Sequence, residues 1–130
     1  MPLVRITLNQ GKSASYLAAV SDSIYQAMLE ECELPENDKF HIFEQLAAGS
    51  LVFSPHHASK EPRSDDFMII QIVADARRAS EKSATFRAIC NRLVTSPGVK
   101  PQDVMVLFST TRTLEDFSLG YGISAASTSR

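Results

Sequence analysis

The sequence predicts an α/β protein, a two-layer sandwich of four main strands with two helices on one face of the sheet. Three observations carry this. Apolar residues alternate or run together in four strand-length stretches, two longer stretches carry helical spacing, and the order is strand–helix–strand twice over. The halves, about 2–53 and 67–109, are alike in topology without repeating in sequence. They are read as one domain over residues 1–130.

The first strand is Leu3-Val4-Arg5-Ile6-Thr7-Leu8, with Val4, Ile6 and Leu8 forming one strongly apolar face. "NQGKSAS" supplies a turn and two possible N-cap serines, Ser13 and Ser15. Leu17, Val20, Ile24, Ala27 and Met28 then form the stripe of an amphipathic helix, which Pro35 stops. A second strand spans about Lys39–Leu46, and Gly49 leads to a short apolar run, Leu51-Val52-Phe53, a candidate extra strand. The polar stretch 54–66, with two prolines, reads as a long loop. "FMIIQIVA", Phe67–Ala74, is nearly continuous in apolar residues and reads as a central strand buried on both faces. Phe86, Ile89, Cys90 and Leu93 mark the second helix, and Asp103–Ser109 the last strand. The tail from about 123 to 130 is expected to be mobile. Two helices cover only one side of a sheet this apolar, so the other side is expected to pack on another subunit.

A net charge of −2 and the lack of a clustered basic face argue against nucleic acid or anionic membrane as partners. No signal-peptide pattern and no apolar run of membrane-spanning length is present, which predicts a cytosolic protein. Cys32 and Cys90 fall in predicted helices without metal-ligand spacing and read as two buried thiols in a reducing compartment, with a disulfide or metal pair as the alternative. His56 and His57 read as exposed loop residues and His41 as a wall residue of the second strand.

Three places could hold chemistry. Pro2 either simply starts a strand or, once Met1 is removed, presents a secondary amine. An α-amino group has an unperturbed pKa of roughly 8, and burial lowers it towards neutrality, where it serves as acid or base. Asp38, in "LPENDKF", is either a solvated loop acid or, if the first two strands are parallel neighbours, a companion of Pro2. Arg77 and Arg78, between a strand end and a helix start, either bind a substrate carboxylate or pair with Asp75 and Glu81.

The stretches "MPL", "LPENDKF", "RSDDFMIIQI", "RRASEK" and "EDFSLGYG" together resemble the tautomerase superfamily, in the branch of malonate semialdehyde decarboxylase. The resemblance implies the tautomerase β-α-β fold, a mixed four-stranded sheet, and a homotrimer whose subunit sheets face one another. It implies an enzyme acting on a small carboxylate-bearing oxo acid by tautomerisation, decarboxylation or hydration, with no metal or organic cofactor. Pro2 would be the catalytic amine, and Asp38 matches the aspartate of an Asn-Asp-(Arg/Lys)-aromatic motif that acts beside it. Arg78 matches an arginine that binds substrate carboxylate, and Phe117 falls where relatives carry a tryptophan of the pocket wall. The decarboxylase has Arg-Pro-Arg-Ser where this chain has Asp75-Ala76-Arg77-Arg78-Ala79, which leaves open whether Arg77 reaches substrate. Tyr121 stands where the decarboxylase is basic. The alternative is a non-catalytic trimeric module that retains the fold.

Overall fold

Alternation along β1 (Leu3–Asn9) decides which side of the sheet becomes the core: Val4, Ile6 and Leu8 are each no more than 1% exposed, while their neighbours are half-buried. The computed structural model describes residues 2–111 and 113–127. After β1 come α1 (Ala14–Glu31), β2 (His41–Leu46), β3 (Met68–Asp75), α2 (Ala79–Thr95) and β4 (Val104–Thr111). Short 3-10 turns occupy Pro101–Asp103, Leu114–Asp116 and Ala125–Ser127.

The sheet order is β2-β1-β3-β4. β1 runs parallel to β2 and antiparallel to β3, and β3 runs parallel to β4, so two strand–helix–strand halves meet at the β1–β3 ladder. Both helices lie over the face formed by Val4, Ile6, Leu8, Met68, Ile70 and Ile72. Val20, Ile24, Ala27 and Met28 of α1 and Ile89 and Leu93 of α2 complete that core. Ser13 is the N-cap of α1, its hydroxyl accepting from the Tyr16 amide at 3.1 Å.

Several expectations need adjustment. Leu51-Val52-Phe53 is not a strand: Val52 is 87% exposed, and the Phe53 ring instead packs on Phe67 with centroids 4.5 Å apart. So short a run contributes more as a hydrophobic plug than as a ladder. Phe67 accordingly sits just ahead of β3, not within it. β3 is central, but within the single chain it is fully buried only towards the helices; Gln71 on the opposite face is exposed. That opposite face also shows Ile42, Met105 and Leu107 to solvent. Both cysteines are free thiols, but Cys32 is the C-cap of α1, just beyond the helix. Cys90 within α2 is half-buried where the sequence predicts a buried thiol, because it lies on the flank of the helix and not on the Ile89–Leu93 stripe. Of the tail, residues 128–130 lie outside the described residues; Ala125 is buried, and its amide bonds the Phe117 carbonyl at 2.9 Å. Among the described residues no helix is long and apolar enough to cross a membrane.

Candidate active site

Strand directions bring one end of the sheet together from four segments. β1 starts there, β2 starts there because it is parallel to β1, and β3 and β4 end there because they run the other way. Pro2 is buried at the head of β1. Leu3 is opposite Val73, so the same register carried one residue further sets Pro2 level with Ala74, beside the Asp75–Arg78 turn.

On the other flank, the Val4 amide donates to the Phe40 carbonyl at 2.9 Å, drawing the segment before β2 against the head of β1. This brings half-buried Asp38 to the same sheet end as Pro2. The loop carrying Asp38 is shaped locally. Asn37 takes a left-handed backbone at φ 67°, a conformation asparagine tolerates better than most residues. Its amide donates to the Tyr25 hydroxyl at 3.2 Å, and the Lys39 ammonium lies 5.2 Å from the centre of the Tyr25 ring. Tyr25 of α1 is therefore a supporting residue that sequence reasoning missed, since its role depends on a loop twelve residues away.

The two arginines face different surroundings. The Arg77 side chain is 17% exposed and donates to Asp75 Oδ1 at 2.7 Å and to the Cys32 carbonyl at 3.2 Å. Burial opposes its charge, but the hydrogen bond and charge of Asp75 outweigh that, and its pKa is raised. The Arg78 side chain is 84% exposed, and its Nε donates to Glu81 Oε1 at 3.0 Å. Glu81 also accepts from the Arg78 amide at 3.1 Å, so it serves as a cap at the start of α2. These two hydrogen bonds, the backbone one foremost, hold its carboxyl below the usual carboxylate range. Arginine has no acceptor, so the reciprocal half of a capping box cannot form. Both readings of the pair thus keep a foothold: each arginine has an acidic partner, and Arg78 still presents its terminal nitrogens outward.

Phe117 is half-buried in the segment after β4, downstream of the strand end that belongs to this same group. Thr111, opposite Asp75 at that end, has a buried hydroxyl with no hydrogen-bond partner among the described residues. No sequence signal distinguishes it. Tyr121 is fully exposed. His41 points towards the helices, where Ser21 Oγ is 2.8 Å from its Nδ1. The described residues contain no group of histidine, cysteine and acidic side chains that could hold a metal ion. Two clefts lie elsewhere. One, of about 540 Å³, runs between α1 and α2, and another, of about 630 Å³, lies at the far end of β1 by Asn9 and Asp66.

Residues 38–120 match a family described as "Tautomerase enzyme", and residues 2–61 match a second family of that description. The chain is similar to the probable tautomerase YusQ of Bacillus subtilis (strain 168), 32% identical over 123 residues that cover 94% of this chain and 95% of that protein. Among solved structures it is similar to FG41 malonate semialdehyde decarboxylase inhibited by 3-bromopropiolate. There the TM-score is 0.85 at 27% identity, covering 95% of this chain and 92% of that one. A fused 4-OT wild-type symmetric trimer shares the fold, with a TM-score of 0.78 at 18% identity over 98% of this chain and 99% of its own.

Proposed function

The chain belongs to the tautomerase family of enzymes, and on that premise we propose that it is a cofactor-independent enzyme using the Pro2 amine as acid and base on a small oxo acid. The observation that carries the reading is the burial of Pro2 at a sheet end flanked by the Asp38 loop and the Asp75–Arg78 turn. Loss of Met1 frees the amine. Burial among apolar strand residues disfavours its protonated form and keeps it a base near neutral pH.

In the tautomerase cycle, neutral Pro2 removes a proton from one side of an enol–keto system. The protonated amine then returns it to the neighbouring carbon. Arg78 holds the substrate carboxylate through its terminal nitrogens, aided by the positive end of the α2 dipole. Asp38 sits across from the turn and supports the charged form of the amine. Phe117 forms an apolar wall that limits water. The subunits assemble as a homotrimer through the open sheet face. The enzyme works in the cytoplasm, without metal, organic cofactor, nucleic acid or membrane.

Likeness to the malonate semialdehyde decarboxylase structure supports a second reading of the same residues. There Pro2 is cationic and polarises the carbonyl while carbon dioxide leaves, with Asp38 assisting; in a hydratase variant Asp38 activates water. A panel of small oxo acids, including phenylenolpyruvate and malonate semialdehyde, assayed on protein with a mass-verified free Pro2, separates these activities. Arg78→Ala should lower kcat/KM for the preferred acid at least tenfold, about 1.4 kcal/mol of transition-state stabilisation. An unchanged kcat/KM would remove Arg78 from the site.

A further inference from the structure

We infer that Arg77 is a positioning residue: it clamps the exit of α1, and with it the loop bearing Asp38, to the turn that bears Arg78. This rests on the catalytic reading above and assigns a separate task to the first arginine of the pair.

The geometry divides the two arginines. They are consecutive at an extended stretch of backbone, Arg78 having φ −70° and ψ 155°, so their side chains leave in different directions. Arg77 turns inward and Arg78 outward, at 17% and 84% exposure. Arg77 Nη1 is held by Asp75 Oδ1 and lies within 3.4 Å of the Asp75 and Ala76 carbonyls, and Nη2 is held by the Cys32 carbonyl. A carboxylate gripped end-on needs one N–H from each terminal nitrogen, and the two N–H groups of Nη1 are already shared among the Asp75 carboxylate and the Asp75 and Ala76 carbonyls.

The choice of the Cys32 carbonyl has a physical reason. Cys32 is the C-cap of α1, where backbone carbonyls lack helical partners and the helix carries partial negative charge. The last turn of α1 contains no basic side chain of its own. Arg77, 45 residues further along the chain, supplies the missing cation and donor. Directly after Cys32 the backbone turns at Glu33, with φ 51°, and passes through Leu34 and Pro35 to Asp38. Fixing Cys32 therefore fixes the origin of the Asp38 loop relative to β3. Asp75 completes the clamp from the last position of β3, which accounts for a negative charge beside a site meant for acids: Arg77 neutralises it.

The test uses Arg77→Ala, Arg77→Lys and Asp75→Asn in the full-length protein, with phenylenolpyruvate kinetics and amide hydrogen exchange over residues 33–40. Arg77→Ala should lower kcat about tenfold with KM within about twofold of wild type, and speed exchange over 33–40 about tenfold or more. Asp75→Asn should move both readouts the same way, and Arg77→Lys should recover part of each. If Arg77→Ala does not fold, the other two variants carry the comparison, because each weakens the clamp without emptying it. A KM rise of tenfold or more with unchanged exchange would make Arg77 a substrate ligand and overturn the proposal. Unchanged exchange with unchanged kinetics would overturn it as well. Should wild type turn over no oxo acid, the catalytic reading fails, and exchange alone then decides whether the clamp exists.

Discussion

His41 shows how one side chain can tie stability to pH in this fold. Its ring faces the helix layer beside Ser21, where burial, reinforced by the Lys39 charge, lowers its pKa from 6.5 to about 4. The unfolded chain takes up a proton near pH 6.5 and the folded chain only near pH 4, so between those values the unfolded state binds more protons. Stability should therefore fall as pH drops from about 6.5 towards about 4. Urea unfolding across that range should show a flatter pH dependence in His41→Gln than in wild type. Equal slopes would show that the ring is not held neutral by the fold.

The long loop between β2 and β3 illustrates the same point one level up. It has no regular structure, yet it is fastened at several places. Asp103, fully buried at the entry to β4, accepts from the Ser64 amide at 2.7 Å and the Ser64 hydroxyl at 2.6 Å. Arg63 donates to the carbonyls of Ser54 and His57, Asn9 donates to the Asp65 carbonyl, and Lys12 pairs with Asp66. Asp103→Ala removes a buried acceptor of two hydrogen bonds and strands a backbone donor, which should destabilise the protein by about 2–3 kcal/mol. Ser64→Ala, which removes the hydroxyl's bond to Asp103 and the one it accepts from the Asp66 amide but leaves the Ser64 amide bonded to Asp103, should lose about 1–2 kcal/mol. Urea midpoints with unchanged m-values measure both, and a shift below about 0.5 kcal/mol for Asp103→Ala would contradict this role. The strands and helices were legible because their periods are written locally in Val4-Ile6-Leu8 or Val20-Ile24-Ala27-Met28. The fastening of the loop was not, because Ser64 and Asp103 are 39 residues apart and neither type signals the other. The candidate site divides in the same way. Pro2, Asp38 and the arginines could be picked out from local motifs, whereas the different settings of Arg77 and Arg78 depend on a carbonyl in a distant helix cap.

At the scale of the whole molecule, the sheet has one covered face and one open one. Ile42, Met105 and Leu107 on the open face are 38%, 43% and 43% exposed, interleaved with Arg5, Glu44 and Gln71. Packing three such faces together, as the proposed homotrimer requires, would remove that apolar surface from water, and Arg5 and Glu44 already pair with each other at 3.6 Å within the chain. Light scattering at micromolar concentration should report a trimer, and Leu107→Glu should shift it towards monomer. A wild-type monomer would leave the open face without this explanation and the homotrimer without support.

The central claim is that the Pro2 amine performs the chemistry, and a single comparison reaches it directly. Two forms of the chain, verified by intact mass, differ only in whether a residue precedes Pro2; both should fold and assemble alike. The form with free Pro2 should turn over phenylenolpyruvate, and the blocked form, whose nitrogen is an amide, should lose about 10²-fold or more, the scale of a positioned acid or base. Equal activity of the two forms would contradict the account and leave Pro2 as no more than the first residue of a strand.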